Sequence, residues 1–393
     1  MLERAARTLV IAVGKAAVPM ARSAMGIGTG FVLSPNARSG DVTSLADYRC
    51  LVGGHPVPTF AGLTASRRIL EAASSLGASD ALLVLLSGGA SSLFEVPVAG
   101  LSDHQARDVY RALVGSGLAI EDINAIRSAL SQVKAGRLAR AAEPASVVTL
   151  AISDVVGDDP VAIGSGPTVM SRYEPSEVRR LIERVSFAPE LTTAVGAALT
   201  MPPASVANGH YHVVASARDA ADGACASLRK AGYKVLDAPV DPLLGKLEDV
   251  AQKLAASVRS ASSRGDRLGP WCMVAAGETT VEVPTSSRGD GGRNRHLACR
   301  VAALLEGLDD FAFLAAGTDG IDGSRSAAGA LVDGATSARM RGAGLDIHEA
   351  LGLFDTGSAL AVVGDDIVTG ASATNVGDVV IAVGVGSRHR GSP

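Results

Sequence analysis

Ala81-Leu-Leu-Val-Leu-Leu-Ser-Gly-Gly89 is a run of six apolar residues that ends in one serine and two glycines. A short, continuously apolar run of this kind is typical of a strand buried on both faces of a parallel sheet, and glycines allow a tight turn after it. Similar runs, each ending in Gly, Ser or Asp, recur at residues 9–14, 147–154, 212–216, 273–277 and 311–317. We interpret all of them as buried parallel strands.

Segments with helical periodicity, such as residues 61–76 and 294–308, separate these runs. The alternation of strand and helix predicts open, doubly wound sheets. A chain of 393 residues exceeds the size of one hydrophobic core, so we expect two domains. The densest cluster of Pro and Gly places the boundary between residues 1–204 and 205–393. Residues 359–363 and 379–383 are predicted as two short strands near the C terminus, suited to an antiparallel pair.

Composition excludes several classes of protein. A net charge of −4 provides no basic surface for a phosphate backbone, so we expect no nucleic-acid partner. The four cysteines are far apart and form no CxxC pair, which predicts reduced thiols. No apolar stretch approaches the roughly 18 to 20 residues that span a bilayer, and we therefore expect a cytoplasmic enzyme.

Two of the runs are followed by polar residues at the carboxyl ends of the predicted strands, which is where open α/β folds bind ligands. Lys15 follows the first, and its ammonium could hold a phosphoryl oxygen. A surface lysine whose stem covers apolar atoms is the simpler interpretation of this motif alone. Another run leads into Ser87-Gly-Gly-Ala-Ser91-Ser92, whose glycines let backbone N–H groups approach an anion. A tight turn with a serine helix cap fits the same residues.

Carboxylates follow two other runs. Asp154 is backed by Asp158 and Asp159, and an acid at a strand end can bind Mg²⁺ or accept a hydroxyl proton. Asp319 and Asp322, separated by Gly-Ile, follow a later run and allow the same chemistry. In both places turns made by aspartate side chains are the alternative interpretation.

An arginine lies beside a further glycine-rich segment. Gly277-Glu278-Thr279-Thr280 leads through a polar loop to Arg293 and Asn294 at a predicted helix start. The arginine fork suits a carboxylate or phosphate, although such a loop is also compatible with a mobile surface turn. A Walker A motif, a GxGxxG fingerprint after a strand and a GxSxG elbow are all absent, which disfavours P-loop, nicotinamide and serine-hydrolase classes.

Together and in this order, these motifs resemble the family of glycerate kinases that phosphorylate the 2-hydroxyl and carry a MOFRL domain at the C terminus. The resemblance covers nearly the whole chain. The matching stretches are residues 14–17, 54–58, 86–93, 123–139, 153–159, 165–168, 277–281, 291–294, 317–323 and 374–376.

The resemblance implies an α/β protein with a Rossmann-like three-layer N-terminal domain, a smaller α/β domain with a mixed sheet, and an active site in the interdomain cleft. It implies that ATP and Mg²⁺ are used to convert D-glycerate to 2-phosphoglycerate, by a monomer or homodimer without nucleic-acid or membrane partners. It assigns Lys15, Asp154 and Arg293 to catalysis, and Asp154 and Asp319 to the metal. The nucleotide- and substrate-binding residues would be Ser87, Gly88, Gly89, Ser91, Ser92, Lys134, Arg137, Glu278, Thr279, Asn294, Asp319, Gly320 and Asn375.

The sequence departs from the family pattern beside these residues. Arg295 and His296 stand where a Gln-Glu pair is usual, Ala276 replaces a glycine, and residues 324–326 replace Pro-Thr-Asp. The preferred hydroxy acid therefore stays open. Two alternatives are a hydroxypyruvate- or tartronate-type reductase, which would need a dinucleotide fingerprint that the chain lacks, and a non-catalytic sugar-acid-binding protein on the same scaffold.

Overall fold

The structure is a computed structural model that describes residues 2–35, 44–171, 173–200, 209–264, 269–283, 287, 289–323 and 327–385. The chain divides into two compact units, the first of Met1–Ser153 with Gly157–Val214 and the second of Asp154–Val156 with Ala215–Pro393. The domain boundary predicted between residues 204 and 205 lies outside the described residues.

The first unit is built on a six-stranded sheet whose strands lie in the order β3-β2-β1-β4-β5-β6. The pairings of β3 with β2, β2 with β1, β1 with β4 and β4 with β5 are parallel. This is the strand order of Rossmann-like folds, so that prediction is confirmed. The strands are β1 (Thr8–Val13), β2 (Thr29–Ser34), β3 (Tyr48–Val52), β4 (Ala81–Leu86), β5 (Ser146–Ile152) and β6 (Gly209–Ala215).

Helices connect these strands, and local sequence signals set several of their ends. Ser102 begins α4 with a capping box, in which its hydroxyl accepts from Gln105 N and the Gln105 side chain accepts from Ser102 N. Proline at the first turn begins α7 and α8. The helices of this unit are α1 (Ala17–Ser23), α2 (Phe60–Ser74), α3 (Ala90–Leu93), α4 (Asp103–Val114), α5 (Ile120–Ala129), α6 (Arg137–Ala142), α7 (Pro175–Glu183) and α8 (Pro189–Ala198).

The second unit contains a mixed sheet with the strand order β12-β11-β10-β13-β9-β7, and β8 pairs with β9 off this path. The mixed sheet implied by the family resemblance is confirmed. The strands are β7 (Lys234–Val235), β8 (Leu243–Lys246), β9 (Trp271–Thr280), β10 (Phe311–Gly317), β11 (Gly329–Val332), β12 (Asp366–Ile367) and β13 (Asp378–Gly384).

The prediction of parallel strands is wrong for β10, which pairs antiparallel with both β11 and β13. It holds only in part for β9, which is parallel to β7 and β8 but antiparallel to β13. The sequence runs that predicted these strands are continuously apolar, but in β10 buried residues alternate with partly exposed ones. A continuously apolar run therefore does not specify strand direction.

Residues 359–363 were predicted as a strand and are helical. Ala359 and Leu360 are buried, whereas Ala361 and Val362 are exposed, which is helical rather than alternating spacing. Gly364 ends this helix in a left-handed conformation. The predicted strand at residues 379–383 is confirmed as β13, but it pairs with β9 and β10.

The helices of the second unit are α9 (Ala217–Lys230), α10 (Leu247–Ser263), α11 (Arg293–Leu304), α12 (Thr336–Gly342), α13 (Ile347–Gly352) and α14 (Thr356–Val363). Its core gathers apolar residues of α10, α11 and the sheet around Trp271 and Phe313, both of which are fully buried. Among the residues that the structure describes, no helix combines the length and apolar character needed to cross a membrane.

Candidate active site

Lys15 lies just beyond the carboxyl end of β1, next to the carboxyl end of β4. The strand order of the first sheet reverses between these two strands, which is where open α/β sheets bind ligands. The backbone joins the two strand ends directly. Lys15 N donates to Gly88 O over 2.9 Å, and Ala16 N donates to Ser87 Oγ over 3.0 Å. The lysine and the Ser87 turn, identified separately in the sequence, therefore lie together in the first unit.

Glycine is required where these two segments meet. Gly14 has φ 125°, and a Cβ built on it would lie 2.2 Å from Ser87 Oγ. A Cβ on Gly89 would lie 3.2 Å from the ring of His55 and 3.6 Å from Cγ of Lys15. His55, to which the sequence analysis gave no role, is thereby placed beside the lysine stem.

The hydroxyls of the Ser87 turn make contacts inside the first unit. Ser87 is fully buried, and its Oγ also donates to Val13 O over 3.3 Å. Ser91 Oγ lies 2.7 Å from Ser165 Oγ, and Ser92 Oγ donates to Gly89 O over 3.2 Å. These contacts hold the turn in shape, so the groups best suited to face an anion are the backbone amides around Gly88 and Gly89.

Lys134 and Arg137 make contacts within the first unit. Lys134 is 1% exposed, and its ammonium contacts the Glu95 carboxylate and donates to Phe94 O over 3.1 Å. Burial lowers the pKa of Lys134, although the charge of Glu95 opposes that shift. Arg137 donates to Ser128 O, Lys134 O, Tyr173 Oη and Thr200 Oγ1. Both cations are engaged by the fold of the first unit, which is the arrangement of structural residues.

Arg293, the first residue of α11, is held in the second unit by two carboxylates. Asp378, which is 1% exposed, contacts Nε of Arg293 and accepts from its Nη2 over 3.1 Å. Glu278 contacts Nη1. Burial disfavours the charged guanidinium, but the hydrogen bond and charge of Asp378 and the charge of Glu278 outweigh it and raise the pKa of Arg293. The arginine is therefore a fixed, permanently charged group.

Asp378, the buried carboxylate that binds Arg293, lies in a row of three residues in register on neighbouring strands. Asp378 of β13 pairs with Gly277 of β9 on one side and with Gly317 of β10 on the other. A Cβ on Gly317 would lie 3.5 Å from Asp378 Oδ1, whereas one on Gly277 would meet Leu243 O at 2.4 Å. Asn294 Nδ2 also donates to Asp378 Oδ1, over 2.9 Å. Asp378 was not predicted as a site residue, although it follows the matching stretch at residues 374–376 by two positions and comes directly after Gly377.

Asp322 caps the same helix rather than facing a ligand. Its Oδ1 accepts from Asn294 N over 3.0 Å and its Oδ2 from Arg295 N over 2.9 Å. Arg295, which is fully buried, donates from Nε to Oδ2 over 3.3 Å and from Nη2 to Asp322 O over 2.7 Å. Burial raises the pKa of Asp322, and these donors oppose the shift. The N-terminal amides of α11 are thus satisfied by a protein carboxylate.

Asp154 groups with the second unit, where Asn375 Nδ2 donates to its Oδ2 over 2.7 Å. Asp319 Oδ1 accepts from Ile321 N over 3.0 Å. The Cβ position of Gly317 lies 3.2 Å from Asp319 Oδ1 and 3.5 Å from Asp378 Oδ1, so these two carboxylates are neighbours. Asp319, Asn375 and Asp154 are thereby placed in the unit that holds Arg293.

Three other predicted residues belong to these segments. Glu278 is about half-buried beside Arg293, and Thr279 is buried on β9. Gly320 has φ 80°, and a Cβ on it would meet Gly370 O at 2.0 Å, so it shapes the Asp319 turn. Over the described ranges, no group of three or more His, Cys, Asp or Glu side chains is arranged to hold a metal ion.

His296 lies one residue beyond Arg295 on α11 and is 6% exposed. Burial lowers its pKa to about 4, Glu248 opposes the shift and Arg300 reinforces it, and the ring packs against Phe354 with centroids 4.8 Å apart. Because the unfolded chain binds a proton near pH 6.5 and the folded chain only near pH 4, the free energy of unfolding falls as the pH drops through this window.

We expect His296 to contribute about 2 kcal/mol to the loss of stability between pH 7 and pH 4.5. The measurement is urea unfolding followed by the fluorescence of Trp271, the sole tryptophan, which lies in the second unit. His296→Leu removes this part of the pH dependence, and the matched control His348→Leu, at an exposed position, retains it. Equal pH dependence in His296→Leu and the wild type would contradict the assignment.

Comparison with known proteins matches both units. A model described as "Domain of unknown function (DUF4147)" matches residues 1–200, and one described as "MOFRL family" matches residues 271–378. A protein of Agrobacterium vitis, provisionally named hydroxypyruvate reductase, is 36% identical over 95% of this chain and 98% of its own. The D-glycerate 2-kinase of Thermotoga maritima is 33% identical over 96% of this chain and 90% of its own.

The solved structures agree. A crystal structure of glycerate kinase from Thermotoga maritima superposes with a TM-score of 0.81 at 32% identity, covering 96% of this chain and 92% of the other. The chain therefore belongs to the family of enzymes that combine DUF4147 and MOFRL regions and include the glycerate kinases.

Proposed function

We propose that this protein is a glycerate 2-kinase, which transfers the terminal phosphoryl group of ATP to the 2-hydroxyl of D-glycerate. The observation that carries the proposal is the position of Lys15 and the Ser87 turn at the strand-order reversal, in a chain that aligns over nearly its whole length with a D-glycerate 2-kinase. Phosphoryl transfer needs positioning and charge stabilisation more than covalent chemistry. A lysine, a glycine-rich turn and a fixed arginine supply both.

The proposed roles follow from the two groups of residues. Lys15 would neutralise charge on the transferring phosphoryl group, and the amides around Gly88 and Gly89 would hold phosphate oxygens. Arg293 would bind a phosphate or the glycerate carboxylate through its guanidinium, which Asp378 orients. Asp154, whose Oδ2 accepts from Asn375, would orient or deprotonate the 2-hydroxyl.

Mg²⁺ is part of the proposal, and the donors fit it. Asp154, Asp319 and Asn375 offer only oxygen ligands from their carboxylate and amide groups, and Mg²⁺ binds through one or two carboxylates when phosphates complete its shell. When bound, the ion would neutralise phosphate charge. A cytoplasmic location and a monomeric or homodimeric state stay predictions.

The test is ADP release measured with ATP, Mg²⁺ and D-glycerate, with the product identified by ³¹P NMR as the 2-phosphate or the 3-phosphate. We expect 2-phosphoglycerate, formed in proportion to ADP. NADH oxidation with hydroxypyruvate, without ADP release, would instead support the reductase indicated by the Agrobacterium relative's name. Binding of D-glycerate without either reaction would support the non-catalytic alternative.

A further inference from the structure

The first unit contains a buried cluster of charged and aromatic side chains that the proposed mechanism does not use. We name it the Glu95 cluster; its members are Glu95, Tyr110, Arg127 and Lys134, each no more than 8% exposed. Lys134 forms an ion pair with Glu95, and the Arg127 guanidinium lies 4.6 Å from the centre of the Tyr110 ring. Tyr110 Oη lies 2.5 Å from Glu95 Oε2. Burying charged side chains costs desolvation free energy, which must be offset by ion pairs and hydrogen bonds such as those of this cluster.

The cluster binds the backbone that follows the Ser87 turn. Lys134 Nζ donates to Phe94 O over 3.1 Å. Tyr110 Oη lies 3.0 Å from Ser91 O as well as 2.5 Å from Glu95 Oε2, and its single proton is shared between these two acceptors. Glu95 itself continues this segment, and its backbone N donates to Ser66 Oγ over 3.1 Å. Three successive anchors therefore fix residues 91–95.

Helix α3 needs such anchors because it is only four residues long. A helix of one turn gains too few hydrogen bonds to offset the cost of nucleation, so tertiary contacts must hold it. Gly89 at its start is in a left-handed conformation with φ 82°. The orientation of the Gly88–Gly89 amides therefore depends on the contacts that hold residues 91–95 as well as on those that Ser87 and Gly88 make with residues 13–16.

The segment after Lys134 makes a second attachment. Ala135 N donates to Ser165 O over 3.1 Å, and Gly136 N donates to Gly166 O over 2.7 Å. Ser165 Oγ in turn lies 2.7 Å from Ser91 Oγ. Residues 134–136 are therefore linked to α3 by two routes. One is the Glu95 cluster, and the other is Ser165, which contacts both Ala135 and Ser91.

We propose that Lys134 and Glu95 are positioning residues, which set the geometry of the Ser87 turn through Phe94 O and Ser91 O and do not touch the substrate. The expected change in kcat rests on the proposed function, whereas the expected change in hydrogen exchange does not. It assigns Lys134 a different task from the ligand contact that the family resemblance implied. Tyr110 belongs to the same cluster, since its hydroxyl lies within hydrogen-bond distance of Glu95 Oε2 and of Ser91 O and donates its one proton between them.

Two variants separate positioning from stability. Lys134→Met alone leaves the Glu95 carboxylate buried without its cation, so that variant is expected to lose stability. The double variant Glu95→Leu/Lys134→Met replaces the pair by apolar side chains of similar size, which often restores stability. It still removes the donor to Phe94 O. Tyr110→Phe removes only the hydroxyl, and it tests the positioning role if the double variant fails to fold.

The readouts are hydrogen exchange of the peptide that covers residues 88–95 and steady-state kinetics with ATP and D-glycerate. We expect the double variant to exchange this peptide at least about 10-fold faster and to lose about 10- to 100-fold in kcat, with KM changed by less than about threefold. Tyr110→Phe should show the same pattern with smaller changes. The matched control Asp108→Leu/Arg111→Met removes an exposed pair of the same unit and should change neither readout.

Native exchange and native kcat in the double variant, or in Tyr110→Phe if the double variant does not fold, would overturn the proposal. A large rise in KM with unchanged exchange would also overturn it, because that result indicates a lysine that binds ligand. The exchange measurement does not require a reaction. Failure of the wild type to phosphorylate glycerate would therefore count against the proposed function alone.

Discussion

Replacing Lys15 by methionine is expected to lower kcat for glycerate phosphorylation by about 10³-fold while leaving the fold intact. Removing one group that stabilises transition-state charge typically costs about 10² to 10³ in kcat, and the phosphoryl group concentrates such charge. The methionine retains the length of the stem that packs near Gly89, so the free energy of unfolding should change by less than about 1 kcal/mol. Steady-state kinetics and thermal unfolding by circular dichroism measure the two quantities.

The control is Lys230→Met, which removes an equivalent charge from the exposed end of α9 and should leave kcat unchanged. Asp154→Asn, measured in parallel, should lower kcat and alter its pH profile, because it removes the group proposed to accept the hydroxyl proton. A Lys15→Met enzyme that retains kcat within about threefold of the wild type would disprove the role given to the lysine.

Replacing Asp322 by alanine is expected to destabilise the second unit by about 3 to 5 kcal/mol. The variant takes the Asp322 carboxylate from the fully buried Arg295 and leaves it only the 3.4 Å contact with Asp290. Removing one partner of a buried ion pair typically costs that much. The variant also removes the acceptors of the first amides of α11. Urea unfolding monitored by Trp271 fluorescence reports the change, since this tryptophan lies in β9 of the same unit.

Asp346→Ala is the matched control, because Asp346 caps α13 in the same way from an exposed position. Its Oδ1 accepts from His348 N and Glu349 N over 2.7 and 2.9 Å. Loss of an exposed cap costs about 1 kcal/mol. If both variants lost the same stability, the buried Arg295 contact would add nothing, and the account of Asp322 as the anchor of α11 would be wrong.

Much of the first unit could be predicted from its sequence, because several of its apolar runs ending in Gly, Ser or Asp form strands before tight turns. The run at residues 212–216 also forms a strand, but β6 is not buried as predicted. Residues 81–89 specify β4 and its turn, and residues 102–105 specify the start of α4. Strand direction in the second unit could not be predicted in this way. β10 has the continuously apolar sequence of a buried parallel strand, but its partners are decided by distant segments of the chain.

Candidate site residues can be predicted from the sequence where their place after a strand or at a helix start suggests a role. Lys15, Ser87 and Arg293 are predicted on this ground, because each follows a strand or begins a helix in a glycine-rich segment. Asp378 and Glu95 were missed because each looks like an ordinary polar residue beside an apolar run. Their importance arises from partners at Arg293 and Lys134, 85 and 39 positions away along the chain. No local pattern encodes such a pairing.

The row of Gly277, Asp378 and Gly317 has a consequence for how this family can change length. Side chains alternate between the faces of a strand, so a one-residue deletion at the start of β13 would turn Asp378 to the opposite face and bring an apolar side chain under Arg293. The spacing between Asn375 and Asp378 should therefore tolerate neither gain nor loss.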